Sequence, residues 1–389
     1  MAIKLGVIFG GESVEHEVSV ISAVQAMKAL DGEKYEIIPI YIAKNREWYT
    51  GNLLRDIDNY KDLANLKRYA KNVVMYAKNG LFVLQSKKGL KRVVKEIDLA
   101  FPIVHGTNVE DGTLQGYLKM LGIPFVGSDL NSSVVGQDKV FMKQIFSSSN
   151  IRTPKYVWFF DDEYRYDTNS IIQKIEKLKY PVIVKPASLG SSVGISVAKN
   201  KEELTFSIET AIKYDIKVLV EEVIPNLVEV NASVLGNHSS CEVSAIEEVI
   251  KSEDFLTYED KYISGSKSNK GMVATSREIP ARIGSDLADE VRRLAKEVFR
   301  VLNNSGVCRI DFLIDKKRGE VYVNEVNTIP GSLSFYLWEA TNKKYQVLLD
   351  DMISIAIKDF KKKNKLIYSF ETNILSSFNG SKGSKNKLK

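Results

Sequence analysis

Cysteine is nearly absent. Cys241 and Cys308 are the only two in 389 residues, and neither has a CxxC partner. That leaves poor grounds for a disulfide framework or a zinc site, and Cys308 reads as a packing residue at a strand end. No apolar run approaches the ~20 residues a membrane span needs. The N-terminal MAIKLGVIFGG lacks the basic region and cleavage pattern of a signal peptide, so it reads as a first strand and implies a cytoplasmic protein without membrane insertion. There is no GxxxxGK[ST] loop, no GxGxxG fingerprint and no internal repeat. The net charge of +6 is modest and gathers partly near the C-terminus. Residues 371–389, rich in Ser, Gly, Asn and Lys, read as a disordered basic tail. No aromatic-basic surface accompanies it, so no nucleic-acid partner is implied.

Hydrophobic content of 44% and charged content of 27% are those of a globular protein, long enough for two or three domains. Strand patterns at 4–9, 35–43 and 99–104 alternate with helical spacing over 17–30, which predicts a mostly parallel sheet with crossover helices. A short strand near 124–127 closes this unit. One helix is predicted over 134–148, carrying Asp138, Lys139 and Lys143. Strands at 156–160, 181–184 and 218–222 with helices over 168–178 and 202–214 form a second unit. Beyond it come strands at 229–236 and 240–250, a hairpin, and helices over 285–302 and 345–360.

The hairpin is the most informative feature. Arg309-Ile-Asp-Phe-Leu-Ile-Asp and Glu320-Val-Tyr-Val-Asn-Glu-Val-Asn flank a polar turn. Glu325 and Asn327 sit two apart and share a face, which Asp311 can meet from the other strand. Three oxygen ligands suit a hard divalent cation with positions left for phosphate oxygens. Arg309 shares the face of Asp311, and an Asn-Thr-x-Pro-Gly loop follows, an arrangement suited to stabilising negative charge. A solvated surface hairpin is the competing reading.

Upstream, Gly190-Ser-Ser-Val-Gly194 follows a strand and Lys185, so backbone N–H groups and hydroxyls can wrap phosphate beside a point charge. Alone it is equally a plain turn. Lys139 adds a second cation, and Glu221 and Glu222 end an apolar strand as a hinge contacting adenine and ribose would require. In this order the elements match an ATP-grasp nucleotide site.

Taken together, these blocks resemble the D-alanine–D-alanine ligase family. They are Gly10-Gly-Glu-Ser-Val-Glu-His-Glu-Val-Ser-Val-Ile-Ser22, His105-Gly-Thr-Asn-Val-Glu-Asp-Gly112 with Gln115-Gly116, Asp138-Lys139, Lys185-Pro-Ala-Ser-Leu-Gly-Ser-Ser-Val-Gly194, Tyr258-Glu-Asp-Lys-Tyr262 and the hairpin through Gly331. The resemblance covers roughly residues 3–360. It implies an α/β and α+β chain with a Rossmann-like (pre-ATP-grasp) domain over 1–128 and a two-part ATP-grasp fold over 129–225 and 226–370, with a lid at 251–272. The implied reaction joins two D-alanines through a D-alanyl phosphate, for peptidoglycan precursor synthesis. ATP and two Mg²⁺ or Mn²⁺ ions would take part, in a homodimer.

By that resemblance Glu15 holds the first D-alanine's ammonium and forms a triad with Ser191 and Tyr262. An acid just before a helix could equally be a dipole partner or cap. His105 ends a strand where open α/β sheets place ligand groups, and would sit near the first substrate; a core histidine is the alternative. Lys139, Lys185, Gly190, Ser192, Glu221, Glu222, Glu229 and Lys261 would bind ATP. Asp311, Glu325 and Asn327 would hold the metals, with Glu325 bridging. Arg309 and the Gly331 N–H would form an oxyanion hole, and Tyr258 and Ser332 would meet substrate.

Two departures from the family pattern stand out. Val109 replaces the usual glycine before Glu-Asp-Gly, and a β-branched residue resists positive φ. After Gly331 the usual Thr and Ser-Leu pair is replaced by Ser332-Leu-Ser334, so the hydroxyl for the second substrate is Ser332 or Ser334. The alternatives are a ligase of this family using D-serine, D-lactate or another acceptor, and a nucleotide-binding regulatory protein without catalysis. The latter should lack Arg309 or the metal ligands, and both are present.

Overall fold

The computed structural model describes residues 2–89, 92–191, 193–250, 276–370 and 372–373. The predicted lid, with Tyr258, Lys261 and Tyr262, lies outside the described residues, as do Ser192 and almost all of the tail. The described strands form three sheets of seven, four and five strands.

The first sheet is built on three parallel strands, Ile3–Gly10, Tyr35–Ile42 and Leu99–Val104. Leu99–Val104 is buried at every position, as a strand covered on both faces must be. Register pairs Ile3 with Tyr35 and Leu5 with Leu99, so Gly10 and Val104 end side by side. The segments that leave them, Gly11–Glu15 and His105–Gly112, therefore emerge together. Residues 48–97 extend the sheet by four antiparallel strands that the sequence reading did not assign. Lys78 pairs with Leu81 across Asn79 and Gly80, both at positive φ, the conformation that two-residue hairpin turns demand. The strand expected near 124–127 is only an isolated bridge between Ala100 and Phe125.

The helix expected over 134–148 is two helices, Leu130–Gln137 and Lys139–Ser148, broken at Asp138. Asp138 is extended (φ −95°, ψ 105°), and its carboxylate accepts from the N–H groups of Val140 and Phe141. An N-cap with those bonds starts a helix and cannot continue one. Lys217 pairs with the same carboxylate. The break sets Lys139 at a first turn, facing the second sheet.

The second sheet orders its antiparallel strands Ser196–Ala198, Val182–Pro186, Lys217–Glu222 and Tyr156–Phe160. The third runs Ser276–Glu278, Ser240–Ile250, Leu227–Asn237, Gly306–Asp315 and Glu320–Asn327. The hairpin turn is fixed by buried Asp315, whose Oδ1 accepts from Lys317 and Arg318 N–H, with Gly319 at φ 67°.

Packing crosses the expected boundary at 226–370. Ile329, Leu333, Trp338 and the helix Tyr345–Lys363 share one core with the first sheet, whereas Val298, Phe299, Ile310, Phe312 and Val323 form a separate one. The stretch after the hairpin is thus clamped to the N-terminal part of the chain.

Candidate active site

Segments leaving the first sheet join the second and third sheets in lining one cavity of about 290 Å³. The hairpin supplies its floor. Asp311 pairs with Glu325 and Arg309 with Asn327, which places the four side chains on one face as their spacing predicts. Arg309 donates to both Asp311 oxygens, Nε at 2.7 Å and an Nη at 2.8 Å, and Asn327 Nδ2 donates to Asp311 at 3.3 Å. Burial pushes the Asp311 carboxyl above its ordinary range; Arg309 opposes this, while Glu325 and Glu247 add to it. Two nearby acids and an amide, held beside a guanidinium, make an oxygen donor set that a divalent cation fits. Among the described residues no group of three His, Cys, Asp or Glu side chains is gathered as a metal site.

The second sheet supplies cations. Lys185 Nζ lies 2.5 Å from Glu221 Oε2 and 3.3 Å from Asn324 Oδ1. Lys143, which the sequence reading placed on the helix without a role, pairs with the other Glu221 oxygen. Burial works against the Glu221 charge, but the two lysines outweigh it and hold the group at about 2. The Glu221 carboxylate is therefore engaged by two lysines, which leaves it no free oxygen for the adenine contact expected of it. Glu222 accepts from Lys155 N–H at 2.9 Å. Lys139 Nζ donates to Leu189 O at 2.6 Å and lies 3.5 Å from Glu325, joining the segment at Leu189 to the hairpin. Gly190 and Glu229 line the same cavity.

The N-terminal segments close it. Glu15 precedes helix His16–Ala29, but its side chain makes no capping bond; it accepts from Ser191 Oγ instead. A Cβ at Gly190 would come within 2.8 Å of that carboxylate, so only glycine allows the approach. Val109 sits outside the left-handed region, which Gly106 and Asn108 occupy in its place, and packs over Gly11.

His105 is buried, with Nε2 3.0 Å from Ser22 Oγ and the ring also bonded to the Ile329 backbone. Burial, then the Arg309 charge, lowers its pKa to about 4, against the pull of the Ile329 bond. The neutral ring carries a pH signature. An unfolded chain protonates this residue near 6.5 while the fold resists until about 4, so stability falls as pH drops through that window. Glu110 runs the opposite way: burial, then Glu15, pushes it up to about 8. Comparing wild type with His105→Gln isolates the histidine. The wild type should lose up to about 3 kcal/mol relative to the variant between pH 7 and pH 4, read from denaturant titrations. Equal pH slopes would contradict this.

Several lining residues were not singled out in the sequence. Glu247 is 2% exposed and accepts from Asn231 at 2.9 Å and Tyr336 at 3.0 Å, while Arg277 lies over the Tyr336 ring at 4.8 Å. Glu110, inside a quoted motif but given no role, also lines the cavity. Among the described residues, Gly331 and Tyr336 reach the wall, whereas Ser332 and Ser334 do not. The Ser332 N–H is engaged by Ser22 Oγ, and Ser334 is wholly buried.

The chain matches two family profiles, D-ala D-ala ligase N-terminus over residues 4–128 and D-ala D-ala ligase C-terminus over residues 145–355. It is 40% identical over 376 residues to the D-alanine–D-alanine ligase of Thermosipho melanesiensis, covering 96% of this chain and 98% of the relative. Among solved structures it resembles the D-Ala:D-Ser ligase VanG of Enterococcus faecalis, with TM-score 0.76 and 33% identity, covering 92% of this chain and all of that one (100%). It also resembles the D-alanine–D-alanine ligase of Bacillus anthracis complexed with ATP, with TM-score 0.67 and 26% identity, covering 93% and 100%. With both profiles matched in order and identity sustained over nearly its whole length, the chain belongs to the D-alanine–D-alanine ligase family and has the ATP-grasp fold.

Proposed function

We propose that this protein is an ATP-dependent ligase that joins two D-alanines, through a D-alanyl phosphate, to supply peptidoglycan precursors. The observation that carries the reading is the single cavity that gathers Glu15, Lys139, Lys185, Arg309, Asp311, Glu325 and Gly331 from two sheets and the helix starts and loops beside them. Lys139 and Lys185 would take ATP phosphates, with Gly190, Glu222 and Glu229 around the nucleotide. Asp311, Glu325 and Asn327 would hold Mg²⁺ or Mn²⁺, which neutralises phosphate charge when bound. Glu15 would hold the first D-alanine's ammonium. Arg309 and the Gly331 N–H would stabilise the oxyanion formed when the second amine attacks. His105 lines the cavity while its ring bonds Ser22 and the Ile329 backbone, so it would face the first substrate and support neighbouring groups. A homodimer and a cytoplasmic location belong to the same reading; no helix among the described residues is long and apolar enough to cross a membrane.

A D-serine acceptor is the second reading. It is favoured by the polar wall of Asn231, Glu247, Arg277 and Tyr336 and by the likeness to VanG. Incubation with ATP, Mg²⁺ and equal D-alanine, D-serine and D-lactate, with products resolved by mass, tests both. D-alanyl-D-alanine should dominate; a dominant D-alanyl-D-serine would replace the first reading with the second, and absence of any D-alanyl product would sink both.

A further inference from the structure

The segment leaving the hairpin is held in a conformation its own residues disfavour. Ser332, Leu333 and Ser334 have φ of 50°, 53° and 51°, three consecutive non-glycine residues in the left-handed region. Each such residue costs about 1–2 kcal/mol, so the run persists only because its surroundings impose it.

Those surroundings come from the N-terminal part of the chain. Ser22 Oγ, wholly buried on helix His16–Ala29, accepts the Ser332 N–H at 2.8 Å. One Glu110 oxygen accepts from Thr328 Oγ1 at 3.1 Å and Ile329 N–H at 2.9 Å, and the other accepts from Gly106 N–H at 3.0 Å. His105 lies between the two anchors. With its oxygen receiving the Ser332 N–H, the Ser22 hydroxyl proton is available to Nε2, 3.0 Å away, and the ring's Ile329 bond returns to the same loop. Leu333 is 1% exposed in the first sheet's core. The anchors grip residues 328–329 and 332, on either side of Gly331. Ser22 is outside the cavity wall, so it can reach the chemistry only through this loop and through His105, which lines the cavity.

We propose that Ser22 and Glu110 are positioning residues for the second chemical step: they hold residues 328–332 so that Gly331 and Arg309 face one developing oxyanion, with His105 as the link between them. This rests on the ligase reading above. The phosphate-binding lysines sit on other elements, so the anchors should affect the second step and spare ATP.

The test uses the full-length chain with Ser22→Ala and, independently, Glu110→Gln. Three quantities are read: the KM for ATP, D-alanine-dependent scrambling of the ATP β,γ-bridge oxygen, and inhibition by a D-alanyl phosphinate dipeptide analogue. Dipeptide turnover and phosphinate affinity should each fall ~10-fold or more, the scale of a displaced oxyanion donor, while ATP KM and scrambling stay within about 2-fold. Parallel loss of scrambling and ligation, or no loss of either, overturns the proposal. Should Ser22→Ala not fold, Glu110→Gln decides alone. A wild-type chain that scrambles ATP oxygen but makes no D-alanyl dipeptide overturns the ligase reading instead.

Discussion

Arg309→Ala is expected to lower kcat by ~10²–10³ with a much smaller change in the KM for ATP, the cost of one oxyanion donor removed from a water-poor site. Arg309 reaches the wall of the cavity beside Gly331, and it is the cation that balances Asp311. Without it Asp311 faces Glu325 and Glu247, whose charges already push its carboxyl upward alongside burial. With one cation fewer beside these acids, the site should attract a divalent cation at least as strongly, seen as an Mg²⁺ requirement that does not rise. Arg309→Lys should not restore turnover, because a point charge cannot reproduce the bidentate fork on Asp311. Steady-state kinetics at saturating Mg²⁺ decides the matter; a kcat within ~10-fold of wild type would remove Arg309 from the oxyanion role.

The largest effect on the fold should come from Glu221→Ala. Lys143, Lys185 and Glu221 are 1%, 7% and 1% exposed, and the single carboxylate serves both ammonium groups. Removing it leaves two buried cations without their shared counter-charge, a loss of about 3–5 kcal/mol for breaking a buried pair from one side. Lys143→Met should cost less, since Lys185 and Glu221 remain paired at 2.5 Å. Burial lowers the Lys143 pKa while Lys185 keeps a raised one, Glu221 outweighing burial there, so Lys143 is the more dispensable charge. ATP binding should fall with Glu221→Ala too, because Lys185 loses the anchor that fixes its position. Thermal unfolding of the three proteins, with and without ATP, reads both effects. An unchanged midpoint for Glu221→Ala would show that the lysines find other partners.

What could be read from the sequence was what repeats at short range. Residues two apart on a strand share a face, so Arg309, Asp311, Glu325 and Asn327 announced a common surface, and the register agrees. Glu15 was legible only as a helix-start acid; that its carboxylate turns to Ser191 depends on a partner 176 residues away. Glu110 and Ile329 are 219 residues apart, and no local pattern joins them. Lys143 and Glu247 were hidden for the same reason, since buried charges are recognised by their partners. Two misses had local signals. Asn79-Gly80 between two apolar runs is a hairpin signal, and Asp138 before a helical run is an N-cap. The left-handed run had none, because Ser and Leu do not favour positive φ and only tertiary contacts explain it there.

On the proposed function, the hairpin face, the phosphate lysines and the N-terminal acid enclose one place where a D-alanine carboxylate is phosphorylated and then consumed. The most direct measurement follows D-alanine carrying heavy oxygen in its carboxylate through the reaction with ATP, Mg²⁺ and the full-length chain. ADP is expected as the nucleotide product, with one heavy oxygen atom passed into inorganic phosphate for each dipeptide formed. Heavy oxygen in AMP, or dipeptide formed with unlabelled phosphate, would contradict it.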